Sequence, residues 1–502
     1  MATANWSQPQ TIQEDRPIIG GETLPSEEYV ARTMPAGLGS LDMTTTYLVA
    51  IFFIVNAATA AGGGAAAFTY LLLGGVMFFV PCVIATAQLG VMFPYEGSLY
   101  NWTHKALGGY WSFFIGFCAW FPGVLVIVSG ADIVISYIQG LSNGTWLVEP
   151  WQQGLALLGI ITFATALALQ RQRIIQNIVN VVIGLTFLAV LIIGFAGLVW
   201  LLKGKPSVTS FQLSNWGLNS NNYSLFGLIT LAYLGTEVPL NMGGEITGRK
   251  VVTRHLLWGT VLVFIGYFIS TFSLLLIQGT NAASNGGFSL VMIVDSVLGK
   301  FCGAITAICI ISFFLIVPVV YNCAFSRLLL VGGIDQRLPA RVARLNKNRV
   351  PASAIIFQSC IAAVFIAVAF FVAPYVTNLG KPTDLANEVY NVTQAAATLV
   401  WAISTAFFFI NIFIFYFRDR QGFNLQRIFP MPVLWLCAIV GPVACAIAIV
   451  DTLLNSWIPG QIDNNHWWYI IGGLTLVCLV IAGIGSMLAT SEAAWQGLRE
   501  KE

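Results

Sequence analysis

The stretch 232-AYLGTEVPLNMGGEITGRK-250 places helix-breaking and charged residues at the end of an apolar run that begins near Leu225. The residues that a membrane-spanning helix would normally avoid are Gly235, Glu237, Pro239, Asn241, Gly243, Gly244 and Glu245. Irregular backbone at membrane depth is tolerated only where it is buried in protein or lines a water-filled cavity. If the chain spans a membrane, this stretch therefore predicts an interrupted helix beside a cavity.

The composition indicates that lipid is the main solvent of this chain. Of its 502 residues, 57% are hydrophobic and 9% are charged, whereas a soluble globular chain carries roughly 25% charged residues. A net charge of +2 gives no reason to expect a nucleic-acid partner. The nine cysteines occur singly in apolar stretches, so we expect neither a metal site, a cofactor nor a disulfide framework.

Twelve segments of the sequence are long and apolar enough to be membrane-spanning helices, for which about 20 residues are needed. They are 44–61, 66–91, 110–138, 153–170, 177–202, 223–243, 254–278, 291–325, 353–374, 391–417, 431–454 and 467–489. We therefore predict an all-α membrane protein. Its transmembrane domain, 44–490, would lie between an N-terminal tail, 1–43, and a C-terminal tail, 491–502.

The basic residues lie mainly in the loops on one side of the predicted membrane domain. With both termini inside the cell, 19 of the 23 lysines and arginines fall on the inner side. Inner loops carry the excess of positive charge in membrane proteins. We therefore expect a multi-pass protein of the cell membrane whose termini are both cytoplasmic.

The first predicted span also carries an interruption, in the stretch 54-IVNAATAAGGG-64. The first and sixth spans are five apart, as two inverted repeats of five spans would require. Interrupted spans at corresponding positions of two halves are the best sequence indication of a secondary transporter's binding site. The spacing predicts one repeat at about 44–202, a second at about 223–417, and two additional helices at 431–489.

An interrupted helix exposes backbone amides at one new end and carbonyls at the other. The amides and the positive end of the helix dipole favour a carboxylate, and the carbonyls can bind a cation or an ammonium group. An amino acid carries both charges, so two interruptions suit a zwitterion. The sequence shows neither the filter repeat of a channel nor the clustered ligands of a membrane enzyme. A sensor that binds an amino acid without transporting it is a further alternative.

Three segments carry motifs that recur in one group of transporters. In the sixth span, Tyr233, Gly235 and Glu237 precede the pair Gly244-Glu245. The other two segments are 93-FPYEGSLYNWTHKALGGYWSFFIGFCAWF-121 and 325-FSRLLLVGGIDQRLPARVARLNKNRVP-351. Through these segments, the chain resembles the amino acid–polyamine–organocation superfamily.

This resemblance covers most of residues 44–417 and is closest to the glutamate/γ-aminobutyrate antiporter branch. Residues 116–124 also resemble plant-type polyamine carriers. The resemblance implies a LeuT-like fold of five plus five helices with discontinuous helices 1 and 6, and transport of a small molecule by alternating access. Polyamine or organocation transport on the same fold is the alternative function.

The resemblance also implies which backbone groups bind the substrate. The amides for its carboxylate would be those of Asn56, Ala57, Ala58 and Thr59. The groups around its amino group would be Ile54, Val55, Leu231, Leu234 and Gly235. Tyr233 occupies the position of an aromatic gate, and Trp120 and Tyr321 are further lining candidates.

Glu237 is the strongest candidate from the residues themselves, because a carboxylate at membrane depth is costly and usually functional. We interpret it as a proton carrier or conformational sensor, or else as a hydrogen-bonded tie between the sixth span and a neighbour. Glu245 lies beside Arg249 and Lys250, so we expect either an ion pair of a cytoplasmic gate or a solvated helix end. Asp132 is expected to be hydrated at an outer helix end.

The coupling ion and the substrate class are inferred from missing side chains. The stretch 314–325 of the eighth span has no serine or threonine, and 176–195 of the fifth span has no lysine. Sodium-coupled members of the resembled superfamily have serine or threonine in the eighth span, and some proton-coupled members have a lysine in the fifth. The resemblance therefore implies that sodium coupling and a lysine switch are disfavoured, and it leaves amino acid exchange or proton coupling through Glu237. Because the third span is apolar until Asp132, a dication is disfavoured and a neutral or apolar amino acid is preferred.

Overall fold

The computed structural model describes residues 23–218, 222–376, 385–458 and 460–499, and its regular secondary structure is helical. The α-helices are α1 (Pro25–Thr33), α2 (Ser40–Ile51), α3 (Asn56–Ala61), α4 (Ala66–Gly74), α5 (Val80–Met92), α6 (Ser98–Leu107), α7 (Gly109–Leu141), α8 (Pro150–Ala168), α9 (Gln172–Leu202), α10 (Ser224–Leu231), α11 (Arg249–Ile277), α12 (Ser289–Leu298), α13 (Lys300–Ile334), α14 (Ala352–Ala367), α15 (Ala373–Val376), α16 (Leu385–Arg418), α17 (Arg420–Gln426), α18 (Met431–Leu454) and α19 (Asn464–Arg499). Short 3-10 segments are Leu213–Trp216, Val238–Glu245, Gly279–Phe288 and Ala340–Ala343, and π-helical turns are Gly75–Phe79 and Val368–Val372.

Ten helical segments of the described chain are long and apolar enough to cross a membrane. They are Ala66–Met92, Gly109–Leu141, Pro150–Ala168, Gln172–Leu202, Arg249–Ile277, Lys300–Ile334, Ala352–Val372, Glu388–Arg418, Met431–Leu454 and Asn464–Ser491. The chain is therefore a multi-pass membrane protein. The first and sixth predicted spans are missing from this set because each is divided into two short pieces, α2 with α3 and α10 with Val238–Glu245.

The predicted boundaries of the eighth span, 291–325, are wrong. Helix α12 ends at Leu298, and α13 begins at Lys300 and continues to Ile334. Gly299 lies between them with a φ of 88°, a left-handed conformation that glycine adopts readily because it has no Cβ. The apolar run continues on both sides of this glycine, so hydropathy alone did not reveal the division.

Helix α1 lies within the predicted N-terminal tail and packs against the end of the molecule that we call the basic end. This end is formed by the connections 169–171, 246–248 and 335–351 together with the first residues of α9 and α11. The amide and the hydroxyl of Ser26 each donate a hydrogen bond of 3.0 Å to Asp335. Glu27 forms a buried ion pair with Lys105, with 2.9 Å between Oε1 and Nζ. These polar contacts fix α1 against α6 and α13.

The two divided helices are each held by a long neighbouring helix. Gly259 and Gly266 of α11 lie directly against the rings of Tyr47 and Phe52, so any Cβ at these glycines would overlap a ring. Small residues allow helix backbones to approach closely in membranes, and they bring α2 against α11. On the other side, the Gly227 amide of α10 donates to Asp451 of α18 at 2.7 Å.

Candidate functional site

The first helix interruption covers residues 52–55, between α2 and α3. The carbonyls at the end of α2 accept hydrogen bonds from two tyrosines of other helices. The Tyr321 hydroxyl donates to Ala50 at 2.9 Å, and the Tyr267 hydroxyl lies 3.2 Å from the Ile51 oxygen and 3.3 Å from the Phe53 oxygen. Carbonyls that the helix no longer pairs are thus stabilised by α11 and α13, which fixes the shape of the interruption.

The predicted carboxylate-binding amides have partners within this interruption. The amides of Asn56, Ala57 and Ala58 donate to the carbonyls three residues earlier, those of Phe53, Ile54 and Val55, at 2.9–3.1 Å. Binding of a carboxylate to these amides would therefore require the turn to open. The carbonyls of Ile54 and Val55 each have a second lone pair that remains suitable for an ammonium group.

The second interruption covers residues 232–237, after α10 ends at Leu231. Gly235 has a φ of 108°, a backbone conformation that side-chain-bearing residues rarely adopt. A Cβ built on Gly235 would lie 3.5 Å from the Ala50 carbonyl oxygen and 3.5 Å from the Trp401 ring. The two interruptions therefore lie side by side, next to α16.

Glu237 is buried at the C-terminal end of the second interruption, with 1% of its surface exposed. Its Oε1 atom accepts a hydrogen bond of 2.6 Å from the indole nitrogen of Trp401. Its Oε2 atom has no hydrogen-bond partner in the described part of the chain. The side chain thus connects the interruption to α16 and keeps one carboxylate oxygen available for a proton or another donor.

A narrow polar cavity adjoins the first interruption. It is lined by Asn56, Thr59, Leu228, Ala232, Tyr390, Asn391, Gln394, Thr398 and Trp457. The Tyr390 hydroxyl donates to Asn56 Oδ1 at 3.0 Å and so joins α16 to the start of α3. The free volume is about 10 Å³, close to the minimum that one water molecule needs. The site is therefore closed to an amino acid in this conformation.

Sequence reasoning missed the residues that α16 contributes to this cavity. Tyr390, Gln394 and Thr398 are spaced four residues apart and form one polar stripe on an otherwise apolar helix. That spacing is visible in the sequence and could have identified this face of the tenth predicted span.

The predicted aromatic residues are in three different places. Tyr321 lies at the first interruption through its bond to Ala50. Tyr233 is directed away from the cavity: its ring stacks on Phe79 with 4.6 Å between centroids, and its hydroxyl donates to the Leu71 carbonyl at 3.3 Å.

The two leucines beside the second interruption, Leu231 and Leu234, are buried.

Trp120 lies outside the cavity of the two interruptions. Its indole nitrogen donates to Gln358 at 3.2 Å, and its ring stacks on Phe357. It lines an apolar groove between α7, α13, α14 and α19. This position makes it a packing residue in the present conformation.

Asp132 of α7 is buried, which makes the expectation of a hydrated side chain wrong. None of its surface is exposed, and neither carboxylate oxygen has a hydrogen-bond partner in the described chain. Ser129, one helical turn earlier, donates to the cavity residue Gln394 of α16 at 3.0 Å. The burial arises because α16 covers this face of α7, which the sequence of α7 alone does not reveal.

A second buried polar cluster lies at the basic end, around Arg327 of α13. Its Nη2 atom lies 2.7 Å from Glu245 Oε1, and its Nε atom lies 3.1 Å from Glu96 Oε1. Glu96 also accepts a hydrogen bond of 3.0 Å from the Gly244 amide. Glu245 is therefore in an ion pair, and its side chain is not solvated. Its partner is Arg327, whereas the sequence had suggested its neighbours Arg249 and Lys250.

The charges of this cluster do not balance, because two carboxylates share one guanidinium. Burial, followed by the negative charge of Glu245, raises the pKa of Glu96, while Arg327 opposes the increase. Protonation of one carboxylate would make the buried cluster neutral. The described residues include no group of three or more His, Cys, Asp or Glu side chains that could hold a metal ion.

Comparison with known proteins agrees with this helical membrane architecture. The family model described as "Amino acid permease" matches residues 38–481. The chain is therefore a membrane permease by class, and it belongs to the amino acid permease family. This match includes both helix interruptions and the basic-end cluster.

Individual relatives are distant and differ in what their names say. A γ-aminobutyric acid permease of Bacillus subtilis (strain 168) is 21% identical over 63% of this chain and 66% of its own length. The polyamine transporter RMV1 of Arabidopsis thaliana is 27% identical over 38% of this chain and 37% of its own length. The branched-chain amino acid permease BcaP of Lactococcus lactis is 24% identical over 77% of this chain and 81% of its own length. The matches to the first two relatives thus span less than two thirds of those proteins.

Proposed function

We propose that this protein is a secondary active transporter that carries amino acids across the cell membrane by alternating access. The observation that carries the proposal is the juxtaposition of two helix interruptions beside a narrow polar cavity, with Glu237 buried at their junction. Interrupted helices in two halves of a permease are the usual setting of a substrate site. The family and the names of the relatives support the same class of function.

The proposed topology has twelve spans, the ten continuous helices and the two interrupted ones. Spans 1–5 and 6–10 form inverted repeats in a LeuT-like arrangement, followed by two additional helices. The basic end faces the cytoplasm because positively charged loops are retained there, and both termini lie on that side. The ion-paired cluster of Arg327 and the docked helix α1 then close the cytoplasmic entrance.

Substrate binding would exchange internal hydrogen bonds for bonds to the zwitterion. The carboxylate would replace carbonyl acceptors of the Asn56–Ala58 amides, and the ammonium group would use carbonyls near Ile54, Val55 and the 231–234 turn. Because the cavity is closed in this structure, the substrate enters through movement of α3 and α10 against α16. The closed cavity therefore represents the occluded stage of the transport cycle.

The proposed coupling is exchange of one solute for another or proton transport through Glu237. The free Oε2 atom of Glu237 suits a group that gains and loses a proton during the cycle. We also propose that transport is sodium-independent; the lack of serine and threonine hydroxyls in 314–325 supports this, because sodium requires oxygen ligands.

Organic cation transport on the same fold is the second candidate function. From the sequence we disfavoured a dication because the third span is apolar until Asp132, a residue that we expected to be hydrated at an outer helix end. The buried, unpartnered carboxylate of Asp132 removes that argument. A channel or a non-transporting sensor differs from both candidates in its kinetics and not in its fold.

Uptake into proteoliposomes tests the proposed function. Vesicles that contain the purified full-length chain and are preloaded with unlabelled amino acid should take up labelled amino acid with saturable kinetics. Binding without uptake would indicate a sensor, and current without saturable exchange would indicate a channel. Either result would contradict the proposal.

A further inference from the structure

The carboxylate of Asp132 is an unexplained charge in the interior of the membrane domain. It is fully buried in α7 and has no hydrogen-bond partner within the described residues. An unpaired carboxylate at such a position is costly and persists mainly where it pairs with an ion or a solute during function. Packing alone would be served better by an apolar side chain of similar size.

The surroundings of Asp132 connect it to the candidate substrate cavity. Ser129 lies three residues earlier, on the same face of α7, and donates to Gln394 of the cavity wall at 3.0 Å. Another wall residue of α16, Tyr390, donates to Asn56 at the first helix interruption. Polar side chains therefore form a path from the interruption, along Tyr390 and Gln394 of α16, to Ser129, which lies one helical turn from Asp132.

The groups along this path include no cation. Asn56, Ser129, Tyr390 and Gln394 are neutral, and Asp132 forms no ion pair with a lysine, arginine or histidine of the described chain within 4.0 Å. At the basic end, by contrast, three buried carboxylates, Glu27, Glu96 and Glu245, face an arginine or a lysine. The described residues therefore provide no counter-charge for Asp132, which leaves a proton or a cationic group of a bound solute to neutralise it.

We propose that Asp132 determines substrate specificity by pairing with a second cationic group of the transported solute. The inference rests on the proposed transport function and names its substrate class: a solute with one ammonium group at the helix interruptions and an ammonium or guanidinium group at Asp132. Cationic amino acids and diamines share this chemistry. The proposal replaces the preference for a neutral amino acid that the sequence indicated.

Thermal unfolding of the purified full-length protein with added ligands tests this proposal. The probes are leucine as a neutral amino acid, lysine and arginine as cationic amino acids, and butane-1,4-diamine as a diamine. A ligand raises the unfolding temperature in proportion to its affinity and concentration. Lysine, arginine or the diamine should stabilise the wild-type protein at concentrations at least tenfold lower than leucine. Stabilisation by lysine and arginine but not by the diamine would assign the source to amino acids, and the reverse pattern would assign it to diamines.

The variant Asp132→Asn keeps the side-chain shape and removes the charge. It should weaken the binding of cationic ligands at least tenfold and leave leucine binding unchanged. The matched control is Asp295→Asn, which alters a partly exposed aspartate of α12. This control should change neither the binding of cationic ligands nor the binding of leucine. Equal losses for leucine and lysine in Asp132→Asn would indicate a structural role and overturn the proposal.

Two results separate this inference from the proposed function. Stabilisation of the wild-type protein by leucine, but by none of the three cationic probes, would overturn the role of Asp132 and leave amino acid transport standing. That comparison needs no variant, so it decides the matter even if Asp132→Asn does not fold. Absence of stabilisation by every probe, together with absence of exchange in vesicles, would overturn both.

Discussion

The buried carboxylates of this permease differ sharply between the basic end and the middle of the membrane domain. At the basic end, Glu27 pairs with Lys105, and Glu96 and Glu245 share Arg327. In the middle, Glu237 receives one neutral indole donor and Asp132 receives none among the described residues. All five carboxylates are buried, so exposure to water does not explain the contrast.

The difference indicates two separate roles for buried charge. Internal pairs at the basic end hold helices together and can keep an entrance closed, because separating them exposes uncompensated charge. Carboxylates without internal cations are suited to binding a proton or a charged solute. The comparison therefore assigns closure to the basic end and binding to the middle of the membrane domain.

The largest expected effect is the loss of the central cation at the basic end. Arg327→Met leaves Glu96 and Glu245 buried without a partner and should lower the free energy of unfolding by about 3–5 kcal/mol. Thermal or denaturant unfolding in detergent measures this change in the free energy of unfolding. The control Lys250→Met removes an exposed cation and should change stability little. Equal stability of the two variants would show that the cluster does not hold this end closed.

The next effect concerns Glu237 and transport itself. Glu237→Gln keeps an acceptor for Trp401 but cannot exchange a proton, so uptake into proteoliposomes should fall at least tenfold, about 1.4 kcal/mol. Protein yield and unfolding temperature should stay near wild type. The control Glu149→Gln, at an exposed loop position, should transport normally. Wild-type rates of Glu237→Gln between pH 5 and pH 8 would remove this residue from the coupling mechanism.

A smaller effect is expected when the second interruption is disturbed. Gly235→Ala introduces a side chain at a φ of 108° and should destabilise the protein by about 1–3 kcal/mol. The matched change Gly184→Ala, at a helical glycine of α9 with open space around it, should be neutral or stabilising. If both variants are equally stable, the interruption does not depend on glycine.

The pH dependence of the basic-end cluster should be modest. Because the pKa of Glu96 is raised in the folded state, folding binds a proton, and the associated stability declines as pH rises above the ordinary carboxyl value of about 4.5. We expect the free energy of unfolding of the wild-type protein to decrease between pH 5 and pH 8 through this group. Unfolding curves of Glu96→Gln should be flatter than those of wild type. Parallel curves would show that Glu96 does not take up this proton.

The smallest expected effect is that of sodium. Uptake should be unchanged within error when sodium is replaced by potassium or choline, because the eighth span offers no serine or threonine ligand in 314–325. Uptake that requires sodium would contradict our interpretation of that span and would point to a cation site built from other oxygens.

The sequence predicted the features that depend on local composition. Apolar length predicted ten spans that the structure also has, and the stretch with Gly235 and Pro239 marked the place where α10 ends. In the first span, the predicted stretch 54–64 overlaps the observed interruption, 52–55, only at Ile54 and Val55, and its three glycines follow α3. The division at Gly299 was missed because a single glycine in an apolar run also occurs inside continuous membrane helices. The sequence therefore did not distinguish a helix boundary from a packing position.

Features that depend on contacts between distant segments could not be read from the sequence. The partner of Glu245 is Arg327, 82 residues away, although two nearer basic residues seemed sufficient. Asp132 is buried on the face of α7 where Ser129 contacts α16, and Tyr233 is held away from the cavity by its stack on Phe79 and its hydrogen bond to Leu71. Burial and direction of a side chain are set by packing, which no single span encodes.

The most direct test of the central claim is ligand binding to a variant whose cavity is filled. Thr59→Phe adds a ring at the wall of the cavity beside the first interruption, and Thr162→Phe adds the same ring at an exposed position of α8. We predict that an amino acid or amine that raises the unfolding temperature of wild type will do so for Thr162→Phe but not for Thr59→Phe. The same ligand-induced increase in all three proteins would contradict a binding site at the two helix interruptions.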